Sequence, residues 1–188
     1  MEKRVQTDQE KQKFGDKLGD FQLQQVRTGK KLALSEMMAG KKGAVVVFWS
    51  GICSHCVRYD PFLNGFQKRH PELAFIAVAS RHGETMDLIE SSIAERKLTF
   101  PLVHDPGGKV AATWFTQQTP RAFLMDSHRN LLYRGAIDNF KYPEDPEFVA
   151  YLEPAIDQFM KGEPISRSET ASYGCAIQSV YYILPRAL

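Results

Sequence analysis

The sequence predicts an α/β domain in which a central sheet carries helices on both faces, and three observations lead there. Ala44-Val45-Val46-Val47-Phe48-Trp49 is a β-branched and aromatic run between Gly43 and Ser50-Gly51, the pattern of a strand buried on both faces. Leu73-Ala74-Phe75-Ile76-Ala77-Val78-Ala79 repeats that pattern after an intervening helical stretch. Strand and helix signals then alternate to about residue 160, the order that builds a layered α/β sheet.

In chain order, residues 1–17 are charged and poor in apolar periodicity and are expected to form a mobile N-terminal arm. The folded domain is expected over residues 18–161. Within residues 54–69, Val57, Phe62 and Phe66 with Pro61 inside predict a helix that begins at a cysteine pair and bends at the proline. Met86, Ile89 and Ile93 place a second helix over residues 84–97. Residues 100–104 read as a short extended piece, Asp105-Pro106-Gly107-Gly108 as a turn and residues 109–115 as a short helix. Residues 121–125 and 131–137, joined by a five-residue loop at 126–130, read as an antiparallel hairpin. Asp145 is expected to cap a helix with Pro146 in its first turn and Phe148, Leu152, Ile156 and Phe159 on its buried face. From residue 162 to 188, Pro, Ser and Gly interrupt all periodicity, so this stretch is expected to be an appended tail. Its run Val180-Tyr181-Tyr182-Ile183-Leu184 is apolar enough to dock.

Composition removes several functions. The 188 residues suit one domain, and a net charge of +2 supplies no basic field for a phosphate backbone, which argues against nucleic acid. At 43% hydrophobic and 24% charged the chain lies away from the disordered class. No apolar run approaches the ~20 residues of a membrane span. The polar first residues lack the apolar core of a secretory signal, as a mature form would too.

Chemistry concentrates in Cys53-Ser54-His55-Cys56. A thiol is nucleophilic as its thiolate, and a helix N-terminus lowers the pKa of a cysteine placed there. His55 adds a donor or a positive charge in the same direction. Cys53 is then the candidate nucleophile, and Cys56, one turn on, the thiol that resolves a mixed disulfide. A structural zinc site would want a second Cys or His pair, whereas His70, His82, His104 and His128 are scattered singly, so no metal is expected.

Phe48-Trp49-Ser50-Gly51-Ile52-Cys53-Ser54-His55-Cys56 followed by Pro61, Thr99-Phe100-Pro101 with Asp105, and Thr119-Pro120 before Phe123-Leu124-Met125-Asp126 resemble thioredoxin-fold proteins of the TlpA/ResA and redoxin type. The likeness covers about residues 20–159 and includes Gly19-Asp20-Phe21-Gln22-Leu23 and Gly29-Lys30-Lys31-Leu32-Ala33-Leu34-Ser35 as the entry strand and turn. The resemblance implies a thioredoxin-like fold with a mixed sheet, and thiol-disulfide exchange with protein thiols and disulfides without a cofactor. It also implies an upstream membrane electron donor, an extracytoplasmic location, and a cis peptide at Thr119-Pro120 facing the cysteines. Spacing alone leaves a trans proline at a strand start open. Trp49 holds the family's position near the site, and a plain core aromatic at a strand end fits it equally.

Two departures stand out: Ile52 replaces a tryptophan common before the first cysteine, and Val47 sits where thioredoxins keep a buried acid, leaving the proton acceptor of Cys56 unassigned. The histidine resembles oxidising members of the superfamily. Cys53 is therefore expected to ionise below about pH 7, in a pair more oxidising than thioredoxin's potential of about −270 mV. Cys175, in Tyr173-Gly174-Cys175-Ala176-Ile177, resembles a Gly-Cys element in the tails of some redoxin-like proteins. An extra resolving thiol, a redox-linked latch, an inert small residue and an intermolecular cross-link all remain open for it.

Two other functions compete. Ser50 before Cys53 and Arg121 suggest a peroxiredoxin-like peroxidase, although Val46 stands where that family has proline. Cys53, Cys56 and either His55 or Cys175 suggest a carrier of copper or zinc.

Overall fold

The two apolar runs become the centre of the sheet. The computed structural model describes residues 12–183. Strands β1 (Gln22–Gln25), β2 (Lys31–Ala33), β3 (Gly43–Trp49), β4 (Leu73–Ala79), β5 (Leu102–His104), β7 (Arg121–Asp126) and β8 (Leu131–Gly135) form one mixed sheet in the order β2-β1-β5-β4-β3-β7-β8. β3 and β4 run parallel with Gly43 opposite Leu73 and Trp49 opposite Ala79, and β7 pairs antiparallel with the other side of β3. Every residue of β3 and β4 is buried, so two-sided burial explains why neither run alternates polar with apolar. A two-stranded ladder of β6 (Gln118–Thr119) and β9 (Cys175–Ala176) stands apart from this sheet.

The two faces of β3 look into different cores. Val45, Val47 and Trp49 pack with Tyr59, Leu63, Phe66, Ile89, Leu152 and Ile156, whereas Ala44, Val46 and Phe48 pack with Leu18, Leu34, Trp114, Phe123 and Ile177. The first layer holds α3 (Asp60–Asn64), α4 (Phe66–Arg69), α5 (Met86–Arg96) and α7 (Leu152–Met160), and the second holds α1 (Leu34–Met37) and α6 (Lys109–Thr113). This is the thioredoxin-like α/β arrangement that the resemblance implied.

Several local expectations change. The single bent helix of residues 54–69 is three short ones, α2 (Ser54–Val57), α3 and α4, with Pro61 seated in the first turn of α3 and Val57 40% exposed. The helix expected from Asp145 starts at Leu152. Asp138 bridges Ala150, and Asn139 N–H donates to the Val149 carbonyl, which holds the intervening chain as a loop with Phe148 50% exposed. The Asp145 carboxylate accepts the Glu147 N–H at 2.9 Å and so caps a turn rather than a helix. The 126–130 loop is closed as expected, with Asp126 Oδ1 accepting the N–H groups of His128 and Asn130.

Residues 12–17, expected within the mobile arm, are tied down: Gly15 N–H donates to the Leu131 carbonyl, Lys17 bridges Asn130 and the Arg134 guanidinium donates to the Gln12 carbonyl. The remainder of that arm, residues 1–11, lies outside the described residues, as does Leu184 of the apolar run near the end. The tail is docked along the domain: Arg134 pairs with Glu169 at 2.8 Å, Thr170 packs against Gly135, and α8 (Val180–Ile183) follows a Ser179 that bonds the Gly107 and Gly108 carbonyls. Among the described residues no helix is long and apolar enough to cross a membrane.

Candidate active site

The site forms where β3 ends. Cys53 has extended backbone angles and caps α2, and its carbonyl accepts the Cys56 N–H at 2.9 Å, so one turn of helix sets the spacing of the two thiols. Both cysteines are fully buried. The Thr119-Pro120 peptide is cis, as the resemblance implied, and the Cys53 thiol donates to the Thr119 carbonyl at 3.5 Å. Cys175 is half-buried and completes a cluster of three free thiols.

Electrostatics separate the three sulfurs. A hydrogen bond from the Cys56 thiol is the largest influence lowering Cys53, and the Cys175 thiol, the Thr119 hydroxyl and the Cys175 N–H add to it against burial, bringing Cys53 down to about 4. Burial first, then the Cys53 sulfur, pushes Cys56 well above the ordinary thiol range. Burial and the same neighbour also raise Cys175, with Arg81 pulling the other way. The direction expected for Cys53 therefore holds, but its cause differs. α2 is a single turn with little macrodipole, so direct donors to the sulfur take the place of a long helix. His55 is exposed on α2.

Trp49 belongs to the core. It is fully buried, edge-on to Phe100 at 6.1 Å between centroids, and its indole N–H donates to Asp60 Oδ1 at 3.1 Å. Asp60 in turn pairs with Arg96 at 2.9 Å, whose guanidinium donates to the Gly51 carbonyl at 2.8 Å. The buried Glu84 carboxylate accepts the Gly51 N–H at 2.5 Å, and burial raises its pKa. Asp60, Arg96 and Glu84 thus hold the turn leading into Cys53. Sequence reasoning missed all three, since only Asp60 lies near the cysteines in the chain. Val47 is buried without an acid, leaving Glu84 as the carboxyl bonded to the cysteine turn. Ser50 is buried beside the cysteines, and Arg121 points its guanidinium at the tail, 3.4 Å from Ser172 Oγ. Among the described residues no group of three or more His, Cys, Asp or Glu is arranged to hold a metal ion.

A redoxin family model matches residues 13–152, well over half of the chain. The chain belongs to the redoxin family. Thiol-disulfide oxidoreductase ResA of Bacillus cereus is 27% identical over 119 residues, covering 63% of this chain and 67% of that protein. ResA of Oceanobacillus iheyensis is 28% identical over 130 residues, covering 66% and 67%. Among solved structures, a hypothetical protein of Sinorhizobium meliloti superposes with a TM-score of 0.78 at 26% identity, over 88% of this chain and 94% of that one. A DsbE-type thiol:disulfide interchange protein of Chlorobium tepidum has a TM-score of 0.58 at 24% identity over 65% and 84%, a likeness of fold. At the level of class, this redoxin is a thiol-disulfide oxidoreductase.

Proposed function

We propose that this redoxin exchanges disulfides with protein cysteines through Cys53 and Cys56. The Cys53 thiolate attacks one sulfur of a partner disulfide, forming a mixed disulfide and releasing the partner's other sulfur as a thiolate. Cys56 then loses its proton and attacks Cys53, which frees the second partner thiol and leaves a Cys53–Cys56 disulfide. The partner gains two electrons and the enzyme loses two, and the reverse sequence oxidises a dithiol. The observation that supports this reading is the seating of Cys53 and Cys56 one helical turn apart at the end of β3, with the Cys53 sulfur 3.5 Å from the Thr119 carbonyl oxygen just before the cis proline, and the Cys56 thiol raised and the Cys53 thiol lowered in pKa. Stabilising the Cys53 thiolate favours the reduced pair, so the couple is oxidising, with a potential between about −270 and −120 mV. An extracytoplasmic location suits it, because disulfides persist there, and a membrane donor upstream would supply electrons when reduction is needed.

In an insulin reduction assay with dithiothreitol, the wild-type chain should accelerate turbidity, and Cys53→Ser should fall to the dithiothreitol background. Retention of activity by that variant would overturn the assignment. Glutathione titration reads the potential.

A further inference from the structure

The thiols of the proposed pair are covered by a part of the chain that the exchange reaction does not use. Cys53 and Cys56 are fully buried, whereas Cys175 is partly exposed. The cover is β9, paired antiparallel to β6 with Ala176 opposite Gln118 and Cys175 opposite Thr119. Ile177 continues the pairing, donating to the Gln117 carbonyl at 2.9 Å and accepting from His82 N–H at 2.8 Å, while its side chain is fully buried in the second core. A Cβ on Gly174 would lie 1.8 Å from the Thr119 carbonyl oxygen, so only glycine permits this approach. The tail is thus seated by main-chain pairing, a buried apolar anchor and a required glycine.

The edge of β6 decides what reaches Cys53. An extended segment pairing there gains main-chain hydrogen bonds and presents the residue opposite Thr119 to the Cys53 sulfur, which lies 3.5 Å from the Thr119 carbonyl oxygen. In this chain that residue is Cys175, whose carbonyl also accepts the Thr119 hydroxyl at 3.4 Å and whose side chain packs against the core cluster that holds Cys53. Burial holds the Cys175 thiol above its ordinary value, and Arg81 acts against that rise, toward the negative sulfur an attack requires.

We propose that Cys175 is a third redox thiol and that its strand is a tethered substrate, exchanging reversibly with Cys53 in the groove an extended cysteine-bearing partner would otherwise occupy. This rests on the thiol-disulfide reading above. Starting from the Cys53–Cys56 disulfide, Cys175 gives its proton to solvent and attacks the Cys53 sulfur. The Cys53–Cys56 bond breaks, a Cys53–Cys175 bond forms, and Cys56 leaves with the electron pair and takes up a proton. One disulfide replaces another, so no oxidant is consumed. The new bridge has one part-exposed end. A partner thiolate attacking Cys175 expels Cys53, the lowest-pKa leaving group of the cluster.

The test uses the full chain carrying Cys56→Ser, with Cys56→Ala run beside it, oxidised by diamide at low protein concentration, alkylated and digested with trypsin without reduction. The expected product links the peptide of residues 43–58 to that of residues 168–186, at a rate independent of protein concentration. In Gly174→Ala combined with Cys56→Ser, the link should form at least tenfold more slowly. Recovery of Cys53 and Cys175 as alkylated thiols or as intermolecular dimers in both Cys56 variants would overturn the proposal. Parallel oxidation of the wild type separates the two readings. A Cys53–Cys56 bridge there without the tail link in the variants defeats the tail alone, whereas failure of wild-type Cys53 to enter any intramolecular bridge defeats both.

Discussion

Cys53 is lowered to about 4 mainly by the Cys56 thiol, and its titration links chemistry to stability. Between about pH 4 and the ordinary thiol value of about 8.5, the unfolded chain holds a proton on this sulfur that the folded chain has released. Stability of the reduced protein should therefore rise with pH through that window relative to Cys53→Ser, and be lost as pH falls through the folded value. Urea unfolding of both proteins at pH 4, 6 and 8 measures this. A constant difference would contradict the ionisation of Cys53. Glu84 has the opposite sign. Burial raises its carboxyl, so the folded state prefers the protonated form and its contribution weakens as pH rises above the ordinary carboxylate range. Glu84→Gln should therefore be more stable than wild type at pH 7, with the advantage gone near pH 4.

At the scale of elements, the turn between β3 and α2 depends on groups from α3 and α5. Trp49→Phe removes the donor to Asp60 and leaves a buried carboxylate less satisfied, which should cost about 1–3 kcal/mol in chemical denaturation. Phe148 separates the helix expected from the sequence from the loop observed. A core phenylalanine cut to serine would cost several kcal/mol, whereas one half exposed in a loop should cost within about 0.5 kcal/mol. Asp145-Pro146 has the chemistry of a helix start, and local signals alone read it so. The pairing of Asp138 with Ala150 overrides them, because it fixes an extended backbone at the far end of the segment. The break of residues 54–69 is not written in the apolar spacing: Tyr59, Leu63 and Phe66 stand at i, i+4 and i+7 and would share one face of an unbroken helix too, so the turns of the axis at Tyr59 and Gly65 leave their common core unchanged.

For the whole molecule, the tail links the second core to the thiols in the first. Ile177→Ala should lower stability by about 2 kcal/mol and at the same time raise the alkylation rate of Cys53, since loosening the anchor uncovers the sulfur. Loss of stability without faster alkylation would mean that the anchor does not hold the cover in place.

The α/β layering, the central strands and the Cys53-Cys56 spacing were legible in the chain because each depends on local order: two-sided apolar runs, helical periodicity and a two-residue gap. Asp60, Arg96 and Glu84 were not, since the contacts of Asp60 with Trp49 and Arg96, and of Arg96 and Glu84 with Gly51, depend on how α3, α5 and a loop pack. Cys175 shows the division most clearly. Its thiol and a tail able to dock were visible in the sequence, but its place opposite Thr119, 56 residues away, is set by the register of β6 against β9 and by Ile177 entering the core. Periodicity reports which face a residue turns, whereas long-range pairing decides which residue it meets.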